Sequence, residues 1–585
     1  MSNNLSNNLS SPVFTLERRS MDPSVQIEGV HPVVNRVLSA RAVHPKHKLD
    51  YGLATLLPPA TLSHINEAAD LLAEALVAQA KIIIVGDFDA DGATSVAVAI
   101  RSLRAFGFES VSYLVPNRFE FGYGLTPEIV GMAAMEQPDI IITVDNGISS
   151  VDGVHAAQGL GMTVLVTDHH LPGEELPTAD VIVNPNLAGD RFASKNLAGV
   201  GVIFYVMLAL RARLRAMKWF QSQNRDEPNM LQFLDIVALG TVADVVPLDH
   251  NNRVLVHQGL QRINQGHACP GINALLKVAK RSVGRISAAD LGFAVGPRLN
   301  AAGRLDDMSI GIECLLSDDV ATAERLADQL DALNHERRSV EKGMQEEALV
   351  AIENIRIDDE SSPSIYTLHD ATWHQGVIGL VASRIKEKTQ RPVMAMAPSD
   401  QAGEWKGSAR SVPGIHIRDL LARFDALHPR VLKKYGGHAM AAGFSIDGSK
   451  LEFFNSTIHT VMTEFSQGHD WTHRILSDGE LEAADFSIEL AEQLRQCSPW
   501  GQQFPEPQFD GVFTVDSARV VGETHLKMTV RPEGSTQAFD GICFGYLDKH
   551  QDHPHDQIRL VYKLDVNEFR GATNLQLMIS QVEQL

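Results

Sequence analysis

The chain has 585 residues, of which 44% are hydrophobic and 21% charged, and its formal net charge is −21. This length exceeds the size at which one hydrophobic core keeps growing, so we expect roughly three or four domains. The acidic balance counts mildly against a nucleic-acid partner, because nucleic-acid binders are usually basic, although an enzyme needs positive charge only in its groove.

The chain also shows no sequence sign of export or membrane insertion. No stretch approaches the ~20 apolar residues of a membrane span, and the polar N-terminus, which carries SNNL twice, lacks the apolar region of a signal peptide. The four cysteines are far apart and form no CxxC pair, which disfavours a thiolate zinc site and is typical of reduced thiols. We therefore predict a cytoplasmic protein with no membrane contact, whose residues 1–20 form a disordered tail.

The stretch 81–95, KIIIVGDFDADGATS, carries the strongest signal in the chain. Its β-branched run predicts a buried strand of a parallel sheet. Asp87, Asp89 and Asp91 follow at once, ahead of a helix-like segment, so they lie at the carboxyl edge of the sheet, where open α/β sheets bind ligands. Carboxylates this close repel each other unless a multivalent cation neutralises them. The alternative is an Asp-rich, glycine-terminated turn without a ligand.

Further short apolar runs repeat this pattern along the chain. They span residues 111–115, 139–144, 163–167 and 181–183. Their alternation with helix-length segments predicts a parallel, doubly wound sheet of the α/β class. Arg118, which follows the first of these runs, is a candidate for a phosphate contact, and a solvated surface arginine is the alternative.

Polar residues that could share the metal of the first cluster follow three later apolar runs. They are Asp145, the pair His169 and His170, and Asp244. A lone Asp after a strand is often only a helix N-cap, and a lone His is more often structural than a ligand. Four such sites at the same edge of one sheet favour a metal site. Carboxylates with imidazoles suit Mn²⁺ or Mg²⁺, and the histidines favour Mn²⁺.

The segments GDFDADG, VDNG, TDHH and GTVADVVPL resemble the four motifs of the DHH phosphoesterase superfamily. Within it, the chain is similar to the RecJ family of bacterial single-strand-specific exonucleases over nearly its whole length. In that family the motifs bind two divalent ions, usually Mn²⁺, and a histidine lies beside the reacting phosphate, which implies this role for His170. The resemblance implies these ligands or near-ligands: Asp87, Asp89, Asp91, Asp145, His169 and Asp244. Smaller superfamily members have a His near the first motif, where this chain has Asp87.

The stretch 296–306, GPRLNAAGRLD, is a candidate phosphate-binding segment. Arg298, Asn300 and Arg304 lie in a Gly-rich setting that allows close backbone approach, and arginine suits bidentate phosphate contacts. The resemblance to RecJ-like proteins implies that this stretch contacts the DNA backbone. The alternative is a structural arginine paired with acidic neighbours. Further upstream, the apolar stretch 199–217 is interrupted by arginines, which favours a buried helix over a membrane span.

Residues 321–352 predict a long amphipathic helix, because apolar side chains recur at helical spacing between many charges. A second α/β region follows, and its segment YGGHAMAAGFS resembles the signature of the DHHA1 domain, which faces the metal site across a cleft. Hydroxyl, guanidinium and glycine backbone together can bind a phosphate. We predict that role for Ser408, Arg410, Gly436, Gly437 and His438.

From about residue 471 onward the pattern changes to alternating strands without a long helix, which predicts an OB-type β-barrel. Its residues Phe513, Phe544 and Tyr546 are candidates for base stacking, although strand aromatics more often belong to the core. RecJ-like proteins usually carry a P-F-G-x-G-N-P-E-P-like signature ahead of the barrel. Here residues 499–507 read PWGQQFPEP, without the Gly-Asn.

We therefore expect an α/β protein in which a parallel-sheet DHH domain and a smaller α/β DHHA1 domain are joined by a long helix and followed by an OB-type β-barrel. After the tail, the predicted bounds are 21–318 for the DHH domain, 319–358 for the helix, 359–465 for the DHHA1 domain and 470–585 for the barrel.

The resemblance implies a metal-dependent exonuclease that hydrolyses single-stranded DNA from the 5′ end to 5′-mononucleotides in DNA repair and recombination. It implies Mn²⁺, or Mg²⁺, as cofactor, and a single-strand-binding protein and a RecQ-type helicase as partners of a monomer. A small-substrate phosphodiesterase or pyrophosphatase of the same superfamily is one alternative, but it needs neither a barrel nor the arginine-bearing inserts. A catalytically inactive replication scaffold is the other, and the presence of every motif carboxylate argues against it.

Overall fold

The computed structural model describes residues 14–22, 26–43, 50–116, 124–353, 363–497, 499–547, 553–569 and 572–585. The chain forms two compact units. The parallel-sheet unit comprises Leu49–Arg337 and Ser498–Glu506. The barrel unit comprises Met1–Lys48, Arg338–Cys497 and Pro507–Leu585.

The strands and helices are numbered in chain order. The strands are β1 (Phe14–Arg18), β2 (Ile82–Gly86), β3 (Val111–Leu114), β4 (Ile140–Val144), β5 (Thr163–Thr167), β6 (Val181–Val183), β7 (Tyr366–His369), β8 (Val393–Pro398), β9 (Glu404–Arg410), β10 (Leu432–Gly437), β11 (Ala441–Asp447), β12 (His473–Ser477), β13 (Phe509–Val521), β14 (His525–Pro532), β15 (Phe539–Cys543), β16 (Gln557–Phe569) and β17 (Ala572–Gln584). The helices are α1 (Pro32–Ser39), α2 (Ile65–Ala78), α3 (Ala90–Phe106), α4 (Pro127–Ala134), α5 (Val151–Gly159), α6 (Gly199–Ala216), α7 (Trp219–Ser222), α8 (Leu234–Ala243), α9 (His250–Asn264), α10 (Pro270–Val278), α11 (Ala288–Asp290), α12 (Gly296–Leu305), α13 (Ser309–Leu316), α14 (Val320–Glu353), α15 (Ile378–Thr389), α16 (Ile417–Leu427), α17 (Leu451–Phe465) and α18 (Ile488–Gln496).

A parallel sheet of order β3-β2-β4-β5-β6 organises the parallel-sheet unit. Strands β2 and β4 are buried along their whole length, as their Ile- and Val-rich runs predicted. The chain leaves β2 for β3 on one side and returns to β4 on the other. The strand order therefore reverses between β2 and β4, and ligands of open α/β sheets bind at the carboxyl ends of such strands.

Helices cover the sheet in agreement with the prediction of a doubly wound fold. Ile83, Ile141 and Val164 share a core with residues of α4 and α5 on one face. Helices α3, α6 and α8 pack against one another, and α3 and α6 also contact the sheet. Most of α6 is buried, and no helix in the described part of the chain is long and apolar enough to cross a membrane.

One element differs from the sequence-based expectation. The run before Asp244, residues 233–239, was expected to be another strand ending at the shared edge, but residues Leu234–Ala243 form helix α8. Residues 234–241 are all buried, so the run is buried on every side and shows no helical periodicity. A fully buried helix and a fully buried strand cannot be distinguished by such a pattern. Asp244 thus follows a helix rather than a strand.

The barrel unit contains two sheet systems. The sheet of order β10-β11-β9-β8-β7 is antiparallel except for the parallel pair β7 and β8, and α16 and α17 contribute to its core. Strands β13 to β17 form a closed barrel of order β13-β14-β15-β17-β16. The predicted barrel is confirmed, and closure leaves its strands without an open edge.

The segment at the N-terminus is more ordered than predicted. Residues 14–18, which fall in the predicted disordered tail, form β1 and pair in parallel with β12, with Phe14 opposite His473. The partner strand is remote in sequence, so composition gave no sign of the pairing. Residues 1–13 lie outside the described residues, as does Arg118. The predicted long helix is confirmed as α14, Val320–Glu353.

Candidate active site

Three strand ends and the end of one helix bring the predicted metal ligands of the parallel-sheet unit together. Asp87, Asp89 and Asp91 follow β2, Asp145 follows β4, His169 follows β5 and Asp244 follows α8. His169 Nε2 lies 3.1 Å from Asp145 Oδ1 and 3.5 Å from Asp244 Oδ2. The ligand atoms fall into three groups whose members lie within 4.8 Å of one another: Asp145, His169 and His170; Asp91, His169 and Asp244; Asp87, Asp89 and Asp145.

The backbone at Asp89 and Asp145 helps to position their side chains. Asp89 is the N-cap of α3, and its Oδ1 accepts hydrogen bonds from the amides of Asp91 and Gly92 at 2.9 and 3.0 Å. Asp145 has a left-handed backbone with φ of 61°, a conformation that costs about 1–3 kcal/mol for most residues and that clusters at active sites. Both carboxylates are therefore held by local structure.

Two glycines let helices approach the carboxylates closely. A Cβ at Gly199, the first residue of α6, would lie 2.5 Å from Asp145 Cβ. A Cβ at Gly240 in α8 would lie 2.2 Å from Thr94 Oγ1 and 2.9 Å from Asp91 Oδ1. No real side chain tolerates such distances, so glycine is required at both positions for this packing.

Asp91 is held by the N-terminus of α6. Its Oδ2 accepts a hydrogen bond from the amide of Gly199 at 2.6 Å, and its Oδ1 accepts one from Val200 at 2.9 Å. Unsatisfied amides and the helix dipole make such a terminus a favourable place for a carboxylate. Asp91 therefore anchors α6 as well as facing the cluster.

Each carboxylate of this cluster disfavours the ionised form of its neighbours. Burial and the charges of Asp91, Asp89 and Asp244 raise the pKa of Asp145 well above its usual value. Burial and the charge of Asp89 raise the pKa of Asp91 to about 7, and burial with the charges of Asp91 and Asp89 raises the pKa of Asp244. A bound cation would remove this repulsion.

The donor set fits a hard or borderline divalent cation. Asp244 Oδ2 is buried and receives no hydrogen bond from the described residues, although most buried polar atoms are paired. Carboxylate oxygens with one imidazole nitrogen are ligands that Mn²⁺ and Mg²⁺ accept. Residues Asp89, Asp91, Asp145, His169 and Asp244 therefore suit a divalent metal centre, and Asp87, which is also buried, adjoins it.

His170 is oriented by Asp168, which is fully buried. Asp168 Oδ1 lies 2.7 Å from His170 Nδ1 and also accepts the amides of His169 and His170, while its Oδ2 accepts the amide of Ile148. Burial lowers the pKa of His170, but the hydrogen bond and charge of Asp168 outweigh burial and raise that pKa to about 9. Asp168 therefore fixes the orientation of the His170 ring and favours its cationic form.

Asp168 is the site residue that sequence reasoning did not select. Its only signal was its place directly before His169 and His170 at the end of a strand, where a carboxylate can support a histidine. Its partners all lie on neighbouring backbone and on one ring, so it serves as an orienting group rather than an exposed ligand.

The arginine-bearing segment is a helix, and its predicted residues differ in surroundings. Arg298 is 7% exposed, and its Nε and Nη2 each lie 2.8 Å from Asp331 Oδ1. This geometry supports the alternative of a structural ion pair. Asn300 Oδ1 accepts the amide of Ala90, directly after Asp89, at 2.8 Å, so it supports the first motif. Arg304 lies one turn further along α12 and is half-buried.

The predicted phosphate-binding residues of the barrel unit lie on adjacent strands. Arg410 Nη1 donates to Ser408 Oγ at 2.9 Å on β9, and Ser408 pairs with Gly443 of β11. Gly436 and Gly437 end β10, and the amide of His438 donates to Ala441 O at 2.8 Å. Gly437 has φ of 134°, a conformation that glycine adopts readily. A hydroxyl, a guanidinium and an exposed glycine hairpin thus occur on one sheet.

The barrel aromatics separate into core and surface residues. Phe513 and Tyr546 are 1% and 3% exposed, whereas Phe544 is 55% exposed. The ring of Phe513 packs edge-on against Phe486 and Tyr562 in the interior. Phe544 is therefore the one of the three predicted stacking residues whose ring is accessible to a base.

Models of three protein families match successive parts of the chain. The DHH family, N-terminal domain, matches residues 81–241, the DHHA1 domain matches residues 362–464, and the RecJ OB domain matches residues 477–581. The first range holds the motif residues up to His170 and ends just before Asp244.

Full-length relatives and solved structures agree with these domains. The chain is 49% identical to the single-stranded-DNA-specific exonuclease RecJ of Salmonella typhimurium over 97% of its length and 98% of the relative's, and 48% identical to that of Escherichia coli over 97% and 98%. A crystal structure of RecJ in complex with Mn²⁺ from Thermus thermophilus matches with a TM-score of 0.79 at 30% identity, covering 95% of this chain and 76% of the other. With this identity over nearly the full length, the chain belongs to the RecJ family.

Proposed function

We propose that this protein is a metal-dependent exonuclease that hydrolyses single-stranded DNA from its 5′ end and releases 5′-mononucleotides. The cluster of Asp89, Asp91, Asp145, His169 and Asp244 at the switch point of the sheet carries the proposal. Relatives that are 48–49% identical are named single-stranded-DNA-specific exonucleases. The polarity and the product rest on the family resemblance.

The chemistry divides between the ligands and His170. Divalent ions at such a cluster supply a hydroxide at neutral pH and neutralise charge on the phosphate. Asp145, His169 and Asp244 would hold them, and Asp89 and Asp91 complete the set. The positive charge of His170 would stabilise the negative charge that develops on the phosphate, while Asp168 keeps its ring in place.

We infer two ions rather than one. Asp145 belongs to two of the three ligand groups, one with His169 and one with Asp87 and Asp89. A carboxylate that belongs to two groups would serve two ions, which would supply an activated water and neutralise charge on the phosphate. A crystal structure of RecJ in complex with Mn²⁺ and one in complex with Mg²⁺ are both similar to this chain, and we expect Mn²⁺ to be preferred because of His169.

The remaining predicted residues would bind the strand. Arg304 suits a backbone phosphate, and Ser408 with Arg410 suits a terminal phosphate, because guanidinium pairs with phosphate bidentately. Gly436, Gly437 and His438 would contribute to binding of the strand, and the barrel would bind single-stranded DNA by base stacking. The family implies a cytoplasmic, monomeric enzyme that works with a single-strand-binding protein and a RecQ-type helicase.

End-labelled single strands test the proposal. Incubation with Mn²⁺ or Mg²⁺ should release labelled mononucleotide at once from a 5′-labelled strand and only late from a 3′-labelled one, and duplex should resist. Hydrolysis of a dinucleotide or pyrophosphate with no attack on long strands would favour the small-substrate alternative. Binding of the strand without any hydrolysis in either metal would favour an inactive scaffold.

A further inference from the structure

The loop that carries Asp244 is held by α9. Pro247 O accepts a hydrogen bond from Asn252 Nδ2 at 2.9 Å, and Leu248 O accepts one from Arg253 Nη1 at 2.8 Å. Val245, next to Asp244, has a left-handed backbone with φ of 61° and an exposed side chain. A β-branched residue in this conformation is strained, so the loop keeps its shape only because its surroundings impose it.

A second element that holds this loop comes from a remote part of the chain. The amide of Leu248 donates to Gln502 O at 2.8 Å, and Gln502 belongs to residues 499–506, which pack in the parallel-sheet unit although the barrel strands follow them in sequence. A Cβ at Gly501 would lie 2.6 Å from Leu248 Cδ1. Glycine therefore permits the close contact between this segment and the loop.

Residues 501–504 form a tight turn with a buried aromatic end. The amides of Gly501 and Phe504 donate to each other's carbonyls at 2.9 and 3.1 Å. Gln503 has φ of 56°, at the turn position where glycine is usual. Gln503 and Phe504 stand where the family signature has Gly-Asn. The turn therefore forms in this chain with Gln503 in a left-handed conformation and with the ring of Phe504 buried.

The ring of Phe504 contacts one aromatic and one cationic side chain. Phe504 is 2% exposed, and its ring stacks on Trp500 with centroids 4.9 Å apart and planes 15° apart. The guanidinium of Arg253 lies 4.2 Å from the centre of the same ring, a cation–π contact. Arg253 thus donates a hydrogen bond to Leu248 O and also lies over the ring of Phe504. It therefore connects the Asp244 loop to the turn 501–504.

We propose that Arg253 and Phe504 are positioning residues for the metal centre, which act on Asp244 through Leu248. The turn 501–504 and α9 both bind the loop at Leu248, four residues from Asp244, and they oppose the relaxation of the strained Val245. Groups that orient a ligand without touching the metal typically affect metal affinity by about 10- to 100-fold. The inference rests on the proposed metal centre.

We call Arg253 and Phe504, with their contacts to the Asp244 loop, the clamp. Binding of Mn²⁺ alone to the full-length protein tests the role of the clamp without DNA or turnover. Free Mn²⁺ is measured by electron paramagnetic resonance during titration of the wild type and of the Phe504→Ala and Arg253→Ala variants. We expect the dissociation constant to rise about tenfold or more in each variant. We expect the double variant to add little, because the two residues act through one contact. Arg253→Lys keeps a cation over the ring and should recover most of the affinity.

A matched control removes another contact between an arginine and an aromatic ring, far from Asp244 in sequence. Arg391 lies 4.5 Å from the ring centre of Trp471 in the barrel unit, and Arg391→Ala should leave Mn²⁺ affinity unchanged. In steady-state assays, the clamp variants should need more Mn²⁺ for half-maximal rate yet approach the wild-type kcat at saturating Mn²⁺.

The outcomes separate the clamp from the metal centre. If Phe504→Ala and Arg253→Ala remain folded and bind Mn²⁺ as the wild type does, the clamp is wrong and the metal centre stands. If the wild type itself binds no Mn²⁺, both are wrong. Should Phe504→Ala fail to fold, Arg253→Ala and Arg253→Lys decide the question, because Arg253 is half-buried and its removal deletes no core volume. An equal loss of affinity in Arg391→Ala would also overturn the proposal, since the effect would then be general.

Discussion

His170 Nδ1 lies 2.7 Å from Asp168 Oδ1, and Asp168 is fully buried. The contact favours protonation of a ring that directly follows the candidate metal ligand His169. Asp168 raises the pKa of His170 to about 9, which favours the cationic ring at neutral pH. A fully buried carboxylate thus fixes the orientation of a half-buried histidine and favours its positive charge.

Replacing Asp168 with Asn should reduce kcat and shift its pH dependence. The amide cannot stabilise an imidazolium, so the pKa of His170 falls and the alkaline limb of the rate profile moves to lower pH. We expect kcat at neutral pH to fall about 10- to 100-fold, as for other groups that orient a catalytic residue. The pH–rate profile measures this, and an unchanged alkaline limb would show that His170 does not act as a cation.

Replacing Asp145 with Asn should abolish hydrolysis and preserve the fold. Asn keeps the shape of the side chain and tolerates the left-handed backbone, which Ala does less well, so loss of activity would report the lost charge. The melting temperature of the metal-free variant should equal or exceed that of the wild type, because one member of a repelling cluster is gone. Near-normal turnover in saturating Mn²⁺ would contradict the ligand assignment.

Mn²⁺ should stabilise the protein more at high pH than at low pH. The pKa of Asp91 is about 7 in the fold, and those of Asp145 and Asp244 are also raised. Between about pH 4 and pH 7 the folded state therefore keeps protons that the unfolded chain has lost, so the stability of the metal-free protein falls as pH rises. Mn²⁺ displaces those protons and restores the stability.

Melting temperatures with and without Mn²⁺ at about pH 6 and about pH 8 check this linkage. The difference caused by Mn²⁺ should be larger at the higher pH. Asp145→Asn should reduce that difference at both values. A Mn²⁺ effect that is independent of pH in the wild type would mean that the cluster carboxylates are already ionised without metal.

Arg410→Ala should weaken the use of strands that end in a 5′-phosphate. A charge-assisted contact contributes about 1.5–3 kcal/mol, so kcat/KM should fall roughly tenfold or more on phosphorylated ends and far less on 5′-hydroxyl ends. The two enzymes and the two substrates form a double-mutant cycle. Equal losses on both ends would show that Arg410 supports β9 or the strand backbone and does not read the terminus.

Phe544→Ala should weaken binding of long single strands with little effect on turnover of short ones. A base that stacks on an exposed ring contributes about 1–3 kcal/mol, and the ring of Phe544 is exposed with His525 at its edge. Phe453→Ala removes another exposed phenylalanine of the barrel unit and serves as the matched control. Fluorescence anisotropy with a labelled oligonucleotide measures both, and equal affinities for both variants and the wild type would exclude Phe544 from the binding path.

The sheet and most of the candidate metal cluster could be predicted because their signals are local. A β-branched run followed at once by a carboxylate marks the end of a buried parallel strand, and such ends meet at one edge. Asp89, Asp91, Asp145 and His169 were placed by that rule. Asp244 was placed by the same rule and by the motif resemblance, although the run before it forms a helix, because a run that is buried on every side carries no period.

The features that local sequence could not reveal depend on partners remote in sequence. Arg298 is predicted to contact a phosphate, and its guanidinium pairs with Asp331 on α14. The strand β1 was read as disordered because its partner, β12, comes near the other end of the chain. Phe504 looked like a departure from a linker signature, and only its contact with Arg253 reveals what it does. No window of local sequence contains these pairings.

The discontinuity of the parallel-sheet unit has a consequence for how the protein is synthesised. Residues 499–506 complete that unit, yet they leave the ribosome after most of the barrel unit's earlier segments. A nascent chain therefore holds the cluster carboxylates long before it holds the turn that grips the Asp244 loop. Products of premature termination before residue 499 lack that turn, so we expect them to bind Mn²⁺ more weakly than the full chain.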